Sequence, residues 1–409
     1  TKTFAPNNNF YYLPGQVFQF PKVGNGTVTN TSLSKDGKFE ESPAKVSAND
    51  GFATTPGQND AFDAVKLNYG VDYLNQGRHY FDTIPDTWSK MRDVLVYWAE
   101  KNVDGFHCKE AGKIPVEFWH WVIPQVKAIN PGIVFVAENV LSNEYRQFVN
   151  QGRFDFLIDK SSGYDTLRLL MNNKVIASNI SRTQRSFNGI NHNRVHFLEN
   201  RDEVRLASSF FGGDSLSVFP GMVVSTTIDK GPVMIYFGQE VGEPALGVEG
   251  YGGNDGKTTQ FDYWGVPEWQ KWVNGNKYDG DLLSGWQKDL RKFYTVLLSF
   301  AVGSEAVVRG EYFDLTEFNV ESKNFSNRVM VFARSFEADN LIVVTSFNPS
   351  AEHIKVQLSS EVVAAMKLKS GTGNVMHDIL GKAGKIEIAP VNFFEMELPA
   401  FGYAIFKVN

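Results

Sequence analysis

Cysteine is nearly absent: the 409 residues contain one, Cys108. A single thiol excludes an internal disulfide and leaves the redox compartment open. No His/Cys grouping has the spacing of a zinc centre. Long apolar runs are missing too, and nothing approaches the ~20 residues of a membrane-spanning helix. Positive charge is not in excess. Forty Lys and Arg against 46 Asp and Glu leave a net charge of −6, which offers no basic field to nucleic acid. No Gly-rich loop follows a strand to cradle phosphate. The chain starts at Thr1 with no apolar leader. Since its first residues read as the interior of a domain, localisation stays open, and so does oligomeric state.

What the chain does have is aromatic residues: 33 Phe, 15 Tyr and 8 Trp, 14 % of the total. Such a supply suits stacking on sugar rings, although core packing accounts for most of it. The length is enough for two or three domains and a large core.

Residues 1–75 are polar and rich in turn signals such as Pro14-Gly15, Gly24-Asn25-Gly26 and Asn49-Asp50-Gly51. They read as a loop-rich excursion from a larger scaffold. From residue 76 to about 307 strands alternate with helices, which implies a parallel sheet. Thr83-Ile-Pro-Asp86 predicts a capping box, and Met91, Val94, Leu95 and Trp98 predict one apolar helix face. Five strands are expected, over residues 103–108, 133–137, 154–158, 195–198 and 233–237. Each run ends in polar residues, as at the rim of a (β/α)8 barrel. Residues 286–298 read as a last long helix. Residues 308–409 hold short strand candidates at 329–333, 341–345, 385–388 and 403–406, the pattern of an antiparallel β-sandwich.

Three segments carry chemistry-bearing residues in order along the chain. Residues 104–115 read Asp-Gly-Phe-His-Cys-Lys-Glu-Ala-Gly-Lys-Ile-Pro. Residues 134–140 read Val-Phe-Val-Ala-Glu-Asn-Val, and residues 197–205 read Phe-Leu-Glu-Asn-Arg-Asp-Glu-Val-Arg. Alone, a Glu after an apolar strand is as readily a rim salt-bridge partner as a proton donor. In this order and spacing the segments resemble the α-amylase family, glycoside hydrolase family 13, and the resemblance covers essentially the whole chain. It implies an α/β fold: a partial (β/α)8 TIM barrel with strands four to eight recognisable. Residues 1–75 would be the remnant of the domain inserted after strand three, 76–307 the barrel, and 308–409 a C-terminal β-sandwich. Strands one to three would lie before Thr1.

The family's glycosidases use two carboxyl groups, one to protonate the leaving oxygen and one to attack the anomeric carbon. The resemblance places Glu138 as general acid/base and Asp202 as the stabilising carboxylate. The family reads Gly-Phe-Arg-x-Asp-x-Ala at its fourth strand, and its Asp is the nucleophile. Here Lys109 stands at that position and His107 at the Arg position. At the seventh strand it reads Phe-x-x-Asn-His-Asp. Asn200 is retained and Arg201 replaces the His. An ammonium cannot form the glycosyl ester and opposes positive charge developing on the sugar. It also favours ionised Glu138, where a general acid needs its proton. Glu110 would substitute only through a bulge, because neighbouring strand side chains point to opposite faces.

The resemblance makes His107, Arg201, Asn200, Tyr73, Tyr251 and Trp264, with Tyr263, candidate sugar contacts. Its partner is an α-glucan oligosaccharide or polysaccharide. No cofactor is expected. Calcium occurs in the family, but its usual Asn ligand belongs to the missing first motif, so no metal ligand is assigned. The expectation is an α-glucan-metabolising homologue with impaired or absent hydrolysis. The alternatives are a non-catalytic glucan-binding pseudoenzyme and a scaffold protein.

Overall fold

The structure, a computed structural model, describes residues 4–5, 7–19, 22–23, 26–27, 43–48, 52–56, 61–138, 140–247, 254–258, 266–369, 374–381, 383–388 and 392–408. The chain divides into two compact units. The first holds Thr1–Val140 and Arg146–Asp155, and the second Leu141–Tyr145 and Phe156–Asn409. Among the described residues no helix is long and apolar enough to cross a membrane.

The N-terminal part of the first unit is built from short antiparallel pairs, Tyr12–Leu13 with Ala44–Lys45 and Val71–Asp72 with Arg78–His79. Tyr11, Leu13 and Val46 form its small core. Helix α1, Asp86–Ala99, follows. The expected capping box does not form: Pro85 occupies the N-cap and has no side chain to accept from the first turn. Asp86 supplies negative charge to that turn instead.

The helix forms over the expected residues, and its apolar face is largely open. Val94 is 48 % and Trp98 50 % exposed, and Met91 and Leu95 are half-buried. The helix is anchored near its start by Trp88, whose indole donates to the Tyr69 carbonyl and packs on Phe81, Phe118 and Trp121. Strand β1, Gly105–Cys108, then pairs in parallel with β2, Val134–Ala137, and helix α2, Val116–Lys127, joins them. Gly105 is required there: a Cβ would meet the Val134 carbonyl oxygen at 2.5 Å.

In the second unit β3, Phe156–Ile158, pairs in parallel with β4, Arg194–Phe197, and β4 with β5, Val233–Met234. Helix α3, Asp165–Met171, and α4, Ser178–Ser186, connect the first two strands, and α5, Val218–Thr227, leads to the third. The last strand is shorter than its apolar run. Ile235–Phe237 leave the ladder, and the Gln239 side chain accepts from the Tyr236 amide. Helix α5 is buried almost all round, packing with the long helix α6, Gly285–Gly303, in one core.

The chain ends in antiparallel sheets. Six strands lie in the order Glu311–Asp314, Val329–Phe336, Asp339–Ser346, Tyr403–Val408, Asn374–Asp378 and Lys385–Ile388. Glu352–Gln357 and Phe393–Leu398 form a separate pair. Val331, Val344 and Phe406 of the large sheet share a buried core with Ile354, Val356 and Phe394 of the small one.

Candidate active site

In the first unit the site grows from the ends of β1 and β2. Alternation along β1 leaves His107 exposed and Cys108 half-buried, and Lys109 follows in the turn, exposed. Glu138 directly follows β2 and is buried. Its backbone extends the ladder, its amide donating to Cys108 and its carbonyl accepting from Ala111. Its carboxylate meets the imidazole of His107, with Oε2 3.0 Å from Nε2. The strand ends thus bring His107 and Glu138 together.

Glu110 has turned off the strand into the left-handed region, at φ 58°, and pairs with Lys113 at 2.7 Å. Burial pushes the Cys108 thiol up to about 12, so at neutral pH it stays protonated. Tyr73 belongs to an aromatic cluster, with ring centroids 5.5 Å from Tyr11 and 5.4 Å from Phe52, and is 40 % exposed.

In the second unit β4 is buried along its length, and the chain emerges at Asn200. The Asn200 side chain accepts from the amides of Asp202 at 2.8 Å and Glu203 at 2.9 Å, a turn that sets Asp202 at the strand's end. The Arg201 guanidinium lies 3.6 Å from the Asp202 carboxylate. Both are partly open to solvent. Tyr251, Tyr263 and Trp264 lie outside the described residues.

Neighbouring residues went unread in the sequence. Glu199 is buried and held by Arg205 at 2.8 Å and by the Leu206 amide. Burial raises its proton affinity against the pull of Arg205. Arg205 also donates to Thr258 and the Phe237 carbonyl and lies 4.4 Å over the Tyr236 ring. Beside them Glu203 accepts from Tyr164 and pairs with Arg168 at 3.2 Å and Lys160 at 3.3 Å. The one signal was proximity, since Glu199, Glu203 and Arg205 flank Asp202 in the motif. Among the described residues there is no group of three or more His, Cys, Asp or Glu side chains that could hold a metal ion.

No family model matches the chain. A curated relative is "Alpha-amylase 3" of Dictyoglomus thermophilum, 24 % identical over 288 residues, covering 64 % of this chain and 54 % of that protein. An alpha-1,4-glucan:maltose-1-phosphate maltosyltransferase of Cereibacter sphaeroides is 36 % identical over 59 residues, 14 % of this chain and 10 % of that one. Among solved structures, the native Nostoc punctiforme debranching enzyme superposes with a TM-score of 0.59 at 16 % identity, over 84 % of this chain and 63 % of its own. The chain therefore spans about half the length of the amylase and a tenth of the maltosyltransferase. The fold is that of α-amylase-family enzymes, the family that the sequence resembles.

Proposed function

We propose that the chain is an α-amylase-family homologue directed at α-glucans, with hydrolysis impaired because Lys109 stands where the nucleophilic carboxylate belongs. In architecture it is a partial (β/α)8 barrel, residues 76–307, with a β-sandwich over 308–409 and the remnant of an inserted domain over 1–75. In this reading Glu138 is the general acid/base and Asp202 the stabilising carboxylate. His107, Asn200, Arg201 and Tyr73 contact sugar, together with Tyr251 and Trp264.

The observation that carries the reading is the end of β1. Lys109 projects to solvent just past His107, whose ring is 3.0 Å from the Glu138 carboxylate. In this reading Lys109, at the nucleophile's position, brings a positive charge toward the group that must donate a proton. It offers no oxygen for a glycosyl ester.

The test pairs two measurements on the full chain: reducing ends released from soluble starch, and retardation of the protein in starch-containing native gels. Retardation without turnover is the expected result and identifies a glucan-binding protein. Loss of both points to the scaffold alternative and overturns the glucan assignment. Turnover that disappears in Glu138→Gln would make the chain an active hydrolase and overturn the impairment.

A further inference from the structure

Asp202 stands next to a carboxylate that is turned inward. The Asp202 side chain is 41 % exposed and that of Glu203 only 12 %. The two residues share one turn, about 3.8 Å apart at their Cα atoms. Asn200 bends that turn by accepting from both amides, but Asn200 belongs to the same loop. It gives the turn its shape without fastening it to another element. Glu203 supplies the fastening.

Both Glu203 oxygens are engaged by the segment that follows β3. Oε2 accepts from the Tyr164 hydroxyl at 3.1 Å and from Arg168 at 3.2 Å, and Oε1 lies 3.3 Å from the Lys160 ammonium. Lys160–Tyr164 form a single turn of π-helix leading into α3. Such wide turns are uncommon and need support. Asp159 supports this one, accepting from the Ser162 hydroxyl and the Gly163 amide while it pairs with buried Arg194. A Cβ at Gly163 would overlap the Asp159 carboxylate. The buried Tyr164 ring lies flat on Phe197, the last residue of β4, with centroids 4.7 Å apart and planes at 5°. The Tyr164 hydroxyl therefore has a fixed place.

The charges of this cluster are satisfied internally, since Lys160 also pairs with Asp165 at 2.6 Å. Ion pairs so close to solvent add little to global stability. Their effect is directional: three donors converge on Glu203 and leave its side chain one orientation. We propose that Glu203 is a positioning residue for Asp202, tying the turn to Tyr164, Lys160 and Arg168 and so fixing the direction in which the Asp202 carboxylate is presented. The value of that direction for glucan binding rests on the role assigned to Asp202 above, whereas the restraint on the turn does not.

The test places a nitroxide on the full chain at Asp202→Cys, with Cys108→Ser so that only one thiol is labelled, and compares EPR line shapes. A label at Lys292→Cys, an exposed position on α6, is the control. In Glu203→Ala the label at 202 should move at least about twofold faster, with the control unchanged. Tyr164→Phe removes a single hydroxyl and should also loosen it, which keeps the question decidable if Glu203→Ala misfolds. An unchanged line shape at 202 in both variants would mean that Asn200 alone sets the turn and would overturn the proposal. Equal loosening at 202 and 292 would overturn it too, because Glu203 would then only stabilise the unit. With Asp202 intact, Glu203→Ala should weaken retardation in starch gels, and retardation equal to that of a retarded parent would count against the proposal as well. A parent that is not retarded at all sinks the glucan reading, and the label still decides the role of Glu203.

Discussion

Asp229 is the residue on which the second unit's buried charges converge. Arg194 reaches it at 3.0 Å, His196 at 2.8 Å and Gln184 at 3.1 Å, and Arg194 also pairs with the fully buried Asp159 at 2.8 Å. Burial opposes ionisation of Asp229, but His196 and Arg194 outweigh it and hold the carboxyl below the usual carboxylate range. A lowered folded value stabilises the fold above the unfolded value of about 3.9, and that contribution fades as pH falls through the folded value. Asp229→Asn should therefore cost about 3–5 kcal/mol in urea denaturation at pH 7, because it removes one of the two buried carboxylates that Arg194 pairs with and the carboxylate partner of His196. The gap between parent and variant should narrow below about pH 4. An equal gap at pH 7 and pH 3 would mean that the charge of Asp229 is not what stabilises. None of this was legible in the sequence. The strand was expected from Val195 and Phe197, and its charged partners come from positions 35 residues away on either side.

At the scale of elements, periodicity located helices and strands well and misjudged what covers them. The α/β alternation, the helix before β1 and the long helix α6 all lie where the apolar spacing put them. In the C-terminal sheets four strands, Glu311–Asp314, Glu352–Gln357, Asn374–Asp378 and Phe393–Leu398, were missed. They are short, and charged residues such as Lys355, His377 and Glu395 interrupt their apolar positions. In α1 the expected stripe is largely open at Val94 and Trp98, and Trp88, one turn before Met91 on the same side, carries the packing. Spacing reveals an amphipathic surface but not which neighbour buries it. Trp88→Ala should then lower stability by about 3–5 kcal/mol. Trp98→Gln should stay within about 0.5 kcal/mol while reducing binding of a hydrophobic dye. Equal losses in the two thermal melts would show that the Trp98 face is covered in solution.

For the whole molecule the open question is whether a scaffold that retains Glu138 and Asp202 retains their chemistry. The family resemblance was legible because a few polar residues at strand ends keep their order while the rest of the chain drifts. The Dictyoglomus amylase shares only 24 % of the aligned residues. Three of those strand-end positions differ from the family pattern, at His107, Lys109 and Arg201. Each acts on a different part of the reaction. In the proposed reading Lys109 stands in place of the attacking carboxylate; His107 lies 3.0 Å from Glu138, the proposed acid/base, and Arg201 lies 3.6 Å from the Asp202 carboxylate. If that reading holds, repairing one position leaves the other two unrepaired, and misplacements of about 1 Å cost about a hundredfold in rate. The parent chain should therefore release no reducing ends from soluble starch above a blank. Lys109→Asp alone should recover little. His107→Arg, Lys109→Asp and Arg201→His together should exceed the single reversion by at least about tenfold, about 1.4 kcal/mol of barrier. Starch hydrolysis measured side by side on the three proteins decides it. Robust turnover by the parent would mean that another group attacks the sugar, and full recovery by Lys109→Asp alone would mean that His107 and Arg201 do not impair the site.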